Sequence, residues 1–193
     1  NISKLNDDLI VAGSSCLDKK LSEFAMENQI EGFEFLSCIP GSIGGGIRMN
    51  AGCYGSEIKD IIVSVQAMDF KGKVLTIPYS EISFKYRCTN LSKDLIFLSG
   101  TFKGELSKKD IIKKKVDELK NKKELSQPIR VKTSGSTFKN PVYQTDKKVW
   151  ELIRESIDIN EVNKMFGDAK ISEKHYNFLI NKEKASSKEM KSL

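Results

Sequence analysis

The sequence predicts an α+β protein built as two units, residues 1–106 and 107–193, and three observations carry that expectation. An apolar strand runs straight into an amphipathic helix near the start, and two strand-like runs flank a glycine turn in the middle. The second half mixes helical periodicity with one late strand-like segment.

Leu9 to Ala12 is the first strand, and it passes through Gly13 into a helix. Ser14 or Ser15 is the expected cap, Leu17, Leu21, Phe24 and Ala25 share one face, and Gly32 marks the end. Ile61 to Phe70 and Val74 to Pro78 form a hairpin around Lys71-Gly72-Lys73, and Leu95 to Phe102 is a further strand. Beyond a boundary near Leu106, a lysine-rich helix runs to about Leu125 with Ile112, Val116 and Leu119 as its apolar stripe. After a Gly/Ser loop at Thr133 to Ser136 come a helix with Val149, Leu152, Ile153 and Ile157 on one face and a strand at Tyr176 to Ile180. The opening residues read as the middle of a domain, and the last ones as an element cut short.

With 39% apolar and 30% charged residues over 193 positions, the chain can bury a core without staples. No apolar run reaches the ~20 residues of a membrane span, and no export signal is visible, so a cytoplasmic protein is expected. The net charge of +6 favours anionic partners. Eight lysines between Lys108 and Lys123 are interleaved with acids and lack aromatic neighbours, which suits a solvated helix face and not a nucleic-acid surface. Cys16, Cys38, Cys53 and Cys88 form no CxxC pair beside a single histidine, so no metal site is expected, and all four read as small buried apolar residues in a reducing compartment. His175, without a GxSxG elbow anywhere, reads as structural.

The densest chemical signal is IPGSIGGGIRMNAGCYGSE, Ile39 to Glu57. Gly41, Gly44, Gly45 and Gly46 can take φ > 0 and turn successive N–H groups toward one point, a nest for a pyrophosphate, and Asn50, Ala51 and Gly52 extend the turn. A structural glycine hinge is the other reading of the same residues. The GxGxxG dinucleotide spacing is not present.

The string from Pro40 to Gly55 resembles the flavin-binding motif of the MurB reductases, and the resemblance continues in order through ISFKYR (Ile82 to Arg87), TSGSTFKNP (Thr133 to Pro141) and GDAKISEKHYNFLIN (Gly167 to Asn181). It implies part of an FAD-binding domain of the vanillyl-alcohol-oxidase (PCMH) type, followed by a small α+β substrate-binding domain, with FAD between the two. The family's Gly-Ser-Asn phosphate loop is expected upstream of Asn1 and its catalytic Glu downstream of Leu193; Glu189 is not a match for that Glu. The implied reaction passes hydride from NADPH through FAD to the enolpyruvyl ether of UDP-N-acetylglucosamine, yielding UDP-N-acetylmuramate for peptidoglycan. By the same resemblance Gly41, Ser42, Ile43, Gly44, Gly45, Asn50, Ala51 and Gly52 contact the cofactor. Arg87 is catalytic and binds the substrate carboxylate, Ser136 donates the proton to carbon, and Lys139 and Asn140 bind substrate.

The chemistry accounts for those residue types. Hydride arriving at an enolpyruvyl carbon builds negative charge next to a carboxylate, so the reaction needs a permanent cation and a proton donor. Without the resemblance, Arg87 would be a surface or core-rim arginine and Ser136 part of a Ser/Gly turn. Two other readings use the same residues: a flavin oxidase of the same superfamily, and a nucleotide-binding or interaction module without catalysis. A flavin spectrum separates the module from both enzymes, and dependence on the enolpyruvyl sugar nucleotide separates reductase from oxidase.

Overall fold

A computed structural model describes all residues, 1–193, as two compact units, Asn1–Asn121 and Lys122–Leu193. The first unit is organised by a five-stranded antiparallel sheet. Its strands are β1 (Ile2–Lys4), β2 (Leu9–Gly13), β3 (Ile62–Met68), β4 (Val74–Pro78) and β5 (Ile96–Lys103), in the spatial order β1-β2-β5-β3-β4. The expected hairpin is β3–β4, in register from Ser64↔Pro78 to Met68↔Val74, with Gly72 at φ 83° in its turn. Central strands bury alternate residues, Ile10 and Ala12 on β2 and Val65 and Ala67 on β3, as half-covered strands must. Helices α1 (Asp18–Glu27) and α2 (Ile43–Met49) complete the core with Leu21, Ala25, Ile43 and Ile47, all fully buried.

Neither serine caps α1; Leu17 occupies that position without a side-chain cap. The Ser14–Cys16 run is stitched elsewhere. Ser14 donates its N–H to the Leu98 carbonyl, and the carbonyls of Ser14 and Cys16 accept from Gly44 and Ile43 at 2.9 and 2.8 Å. That stitching ties the start of α1 to the start of α2.

The lysine-rich helix α3 (Lys109–Ser126) crosses the division between units, which falls at Asn121 and not near Leu106. Its first turns dock on the first unit: Ile112 and Val116 are buried, Lys109 and Lys115 reach Glu27 and Glu31 at 2.5 Å, and Ser107 donates to the Gln29 carbonyl. Ile112 and Val116 are two of the three residues the sequence assigned to the apolar stripe.

The second unit carries a three-stranded antiparallel sheet in the order β6 (Lys132–Ser136), β8 (Phe178–Asn181), β7 (Ala169–Ile171), with α4 (Val149–Ser156), α5 (Ile159–Met165) and α6 (Ser187–Ser192). Ile159, Ala169, Ile171 and Phe178 form its small buried apolar set. Side-chain amides complete what so few apolar residues leave unfixed. Asn163 both accepts from and donates to the backbone of Ile171, and Asn181 does the same for Ala185. No helix is long and apolar enough to cross a membrane. Of the four cysteines only Cys38 is buried, while Cys88 is exposed because it opens the second arm of a two-residue-loop hairpin, Phe84–Lys85 with Cys88–Thr89.

Candidate active site

The glycine segment exposes backbone as expected, but it does not form a nest. None of Gly41, Gly44, Gly45 and Gly46 has positive φ; Ser42 is instead the N-cap of α2, and Gly44 and Gly45 lie in its first turn. The amides a phosphate would require are already bonded within the protein, Ile43 to Cys16, Gly44 to Ser14 and Gly46 to Ser42, at 2.7–2.9 Å. Gly45 makes only a long bond, 3.4 Å, to Ser42 Oγ. A Cβ on Gly44 would stand 3.0 Å from Ser14 Cβ, so that glycine permits close packing of the two segments. A Cβ on Gly45 would meet only Ser42 Oγ at 3.5 Å, and Gly45 is the exposed glycine of the run. The segment therefore does not form the expected pyrophosphate nest, and it leaves Gly45 exposed without a side chain.

At the other end of α2, Asn50 adopts the left-handed conformation (φ 42°, ψ 56°), and the N–H groups of Asn50 and Ala51 return to the Ile47 and Gly46 carbonyls. Asn is one of the few residues that closes a helix this way at low cost. Its side chain is fully buried and bonded in every direction: Nδ2 donates to Glu57 Oε2 at 3.0 Å and to the Lys85 carbonyl at 3.3 Å, and Oδ1 accepts from the Lys59 amide at 3.0 Å. Asn50 therefore organises the site and, contrary to expectation, has no side-chain atom exposed to a cofactor. Gly52 has a steric reason, since a Cβ there would lie 2.4 Å from the Ser56 carbonyl across the tight Gly52–Cys53/Ser56–Glu57 pairing.

Arg87 sits at φ 53° in the two-residue loop between the short strands Phe84–Lys85 and Cys88–Thr89. A non-glycine residue held in that region has contacts that fix it. Its guanidinium donates from Nη1 to the Asn50 carbonyl at 3.2 Å and from Nη2 to the Gly52 carbonyl at 2.5 Å, lies 5.1 Å from the Tyr86 ring centroid, and faces Glu57 Oε1 at 3.8 Å. Two motifs more than thirty residues apart thus meet at one open cleft of about 410 Å³, lined by the 52–57 turn, Lys59, Asp60 and Arg87. Arg48 shows the contrasting case. Its guanidinium is held by the carbonyls of Leu91, Ser92 and Leu95 and lies 4.3 Å over Phe97, a structural clamp.

In the second unit, Ser136 ends β6 opposite Phe178, just after a register shift in which Gly135 takes φ 88°. Ser136 is exposed, while Asn177 fixes the segment beyond it: its side chain accepts from and donates to the Phe138 backbone at 2.9 Å, and its carbonyl accepts from Thr137. Lys139 is exposed. Asn140 Oδ1 accepts from the Val149 amide at 3.0 Å, a job at the start of α4 that the sequence did not announce. His175 stacks edge-on against Phe178 at 4.8 Å, with Trp150 at 6.3 Å, and its Nδ1 accepts from the Asn177 amide. Burial lowers its pKa, which favours the neutral ring.

Comparison with known proteins covers the same two units. Residues 1–78 match the FAD binding domain family, and residues 127–193 match the family described as UDP-N-acetylenolpyruvoylglucosamine reductase, C-terminal domain. Over its full length the chain is 58% identical to the UDP-N-acetylenolpyruvoylglucosamine reductase of Pelagibacter ubique (strain HTCC1062) and 46% identical to that of Rickettsia massiliae (strain Mtu5). It spans 63% of the length of each. The crystal structure of the Thermus caldophilus reductase (MurB) superposes on 94% of the chain and 65% of its own, with a TM-score of 0.81 at 29% identity. The chain belongs to the UDP-N-acetylenolpyruvoylglucosamine reductase (MurB) family.

Proposed function

We propose that this chain supplies the flavin-facing and substrate-facing residues of an NADPH-dependent reductase that converts UDP-N-acetylglucosamine enolpyruvate to UDP-N-acetylmuramate for peptidoglycan. The observation that carries this reading is the meeting of Arg87 with the Asn50–Gly52 turn at one cleft, in a chain whose relatives bear that reductase's name.

The redox chemistry that FAD supplies when bound is hydride exchange between NADPH and the enolpyruvyl double bond. Ser42, Gly44 and Gly45 present the backbone it would lie against, with Ala51 and Gly52 at the far end of α2, about 10 Å away at 1.5 Å per residue. Arg87 is the permanent cation; a guanidinium stays charged at any working pH and matches a carboxylate with two parallel donors. Carbonyls 50 and 52 fix its plane before substrate arrives, so little reorganisation is needed when charge builds on the carboxylate. Ser136 delivers the proton to carbon from an exposed position whose following residues are immobilised by Asn177. Lys139 stands in the same segment as a second cation for substrate phosphate.

The test uses the flavin-loaded protein and separates the half-reactions. Flavin reduction by NADPH should survive Ser136→Ala, while product formation should slow by about 10²–10⁴-fold, the usual worth of a general acid. Equal product-forming rates in wild type and Ser136→Ala remove the proton-donor role, and flavin reoxidation that ignores the enolpyruvyl sugar nucleotide removes the reductase reading itself.

A further inference from the structure

Glu57 closes the glycine-rich string, yet no step of the chemistry above uses it. It is half-buried in the cleft wall, and its two carboxylate oxygens face different partners. Oε2 accepts from Asn50 Nδ2 at 3.0 Å and from Lys59 Nζ at 2.9 Å, while Oε1 lies 3.8 Å from Arg87 Nη1. Through the buried amide of Asn50 the same carboxylate connects to the Lys85 carbonyl, one residue before the Tyr86-Arg87 loop. One acidic group therefore reaches both the guanidinium and the base of the loop that carries it.

We infer that Glu57 is the positioning residue for Arg87, fixing the direction in which the guanidinium presents its donors to an anionic ligand. The inference rests on the reading of Arg87 as the carboxylate-binding cation. The Asn50 and Gly52 carbonyls hold Nη1 and Nη2, and the Tyr86 ring lies beside the group's carbon. Those contacts restrain the head of the side chain through carbonyl dipoles and a ring, none of which carries a full charge. Glu57 adds the opposite charge on the Nη1 side, so a hydrated or swung-out arginine loses an ion pair that the seated one keeps. The pair is loose at 3.8 Å and partly solvated, so it orients the guanidinium without saturating it, as a residue that must later grip a second carboxylate requires. Lys59 shares the Glu57 carboxylate and lowers the net negative charge that an incoming anion meets.

Glu57→Gln keeps the shape and removes the charge, and two measurements separate its effects. The first is independent of catalysis: modification of Arg87 by phenylglyoxal, followed by peptide mapping. Arg87 should react roughly three- to tenfold faster in Glu57→Gln than in wild type, the range expected for one lost charge-assisted contact, with the thermal midpoint held within a few degrees. Lys59→Met, which removes the competing cation but leaves the Glu57 carboxylate on Asn50 and facing Arg87, should keep Arg87 protected. The second measurement is reoxidation of the reduced flavin by the enolpyruvyl sugar nucleotide. It should slow by about tenfold in Glu57→Gln with NADPH reduction unchanged, because a misdirected clamp costs orientation and not redox power. An unchanged phenylglyoxal rate in Glu57→Gln, or an equal rise in Lys59→Met, overturns the positioning role. Faster modification with unaltered reoxidation upholds the positioning and instead overturns the reading of Arg87 as the substrate's cation.

Discussion

Asp18 offers the sharpest test of the packing beneath the glycine segment. It is the first residue of α1, fully buried, and neither carboxyl oxygen has a hydrogen-bond partner. Burial raises its pKa from 3.8 to about 7. The carboxyl fills the space left by two missing side chains: a Cβ on Gly41 would lie 2.7 Å from Oδ2, and one on Gly46 3.2 Å from Oδ1. Between pH 4 and 7 the folded chain holds a proton there that the unfolded chain has released, so unfolding free energy falls as pH rises across that window. Asp18 is fully tolerated below the unfolded value, and its cost is complete above about 7. At ~1.4 kcal/mol per pKa unit, three units set a ceiling of about 4 kcal/mol on the loss at pH 8, reached only if no water enters to hydrate the ion. Asp18→Asn replaces the acid with a neutral group of the same shape that is equally unpartnered. It should therefore match wild type near pH 4 and exceed it by about 2–4 kcal/mol at pH 8. Urea unfolding followed by far-ultraviolet circular dichroism suits the measurement, because the single tryptophan, Trp150, reports on the other unit. A difference between mutant and wild type that stays constant from pH 4 to pH 8, within about 0.5 kcal/mol, would refute a buried neutral acid.

Two further predictions follow from the same geometry. Gly45→Ala should leave the fold as stable as wild type, or firmer by about 0.5–1 kcal/mol because a helical glycine is replaced, while flavin affinity falls by about tenfold or more as a methyl enters the proposed contact surface. Titration of the apoprotein with FAD by fluorescence quenching reads the affinity, and unchanged affinity removes Gly45 from the cofactor surface. For His175, whose folded pKa burial places below its unfolded value, the second unit should lose stability as pH falls through the histidine range and not regain it at lower pH. Thermal melts of His175→Gln followed by Trp150 fluorescence should lose that slope; a slope that persists assigns it to another group.

The elements whose periodicity is strong are legible in the sequence. The β3–β4 hairpin lies within one residue of its expected span at the first strand's start and at the second strand's end, and the apolar stripe of α3 is the one that docks. What stayed hidden depended on contacts distant in sequence. The glycine run looked like a nest because glycine permits positive φ, yet permission is not requirement; here the missing Cβ atoms make room for Ser14 and for the Asp18 carboxyl. The division between units was misplaced for a related reason, since nothing local marks that the first turns of α3 belong to the core they dock on and the last to another unit. Asn50 is the most instructive case. Its identity suggested a turn residue near a cofactor, whereas its conformation closes α2 and its amide binds the carboxylate of Glu57, the amide of Lys59 and the carbonyl of Lys85. Motif residues are therefore not all ligand contacts. On the proposed reading Arg87 and Ser136 are the reactive groups, while Asn50, Glu57 and Asn177 are polar groups whose hydrogen bonds end on backbone or side chains near them in the fold or the sequence. Such residues become legible only when the partners they orient are known.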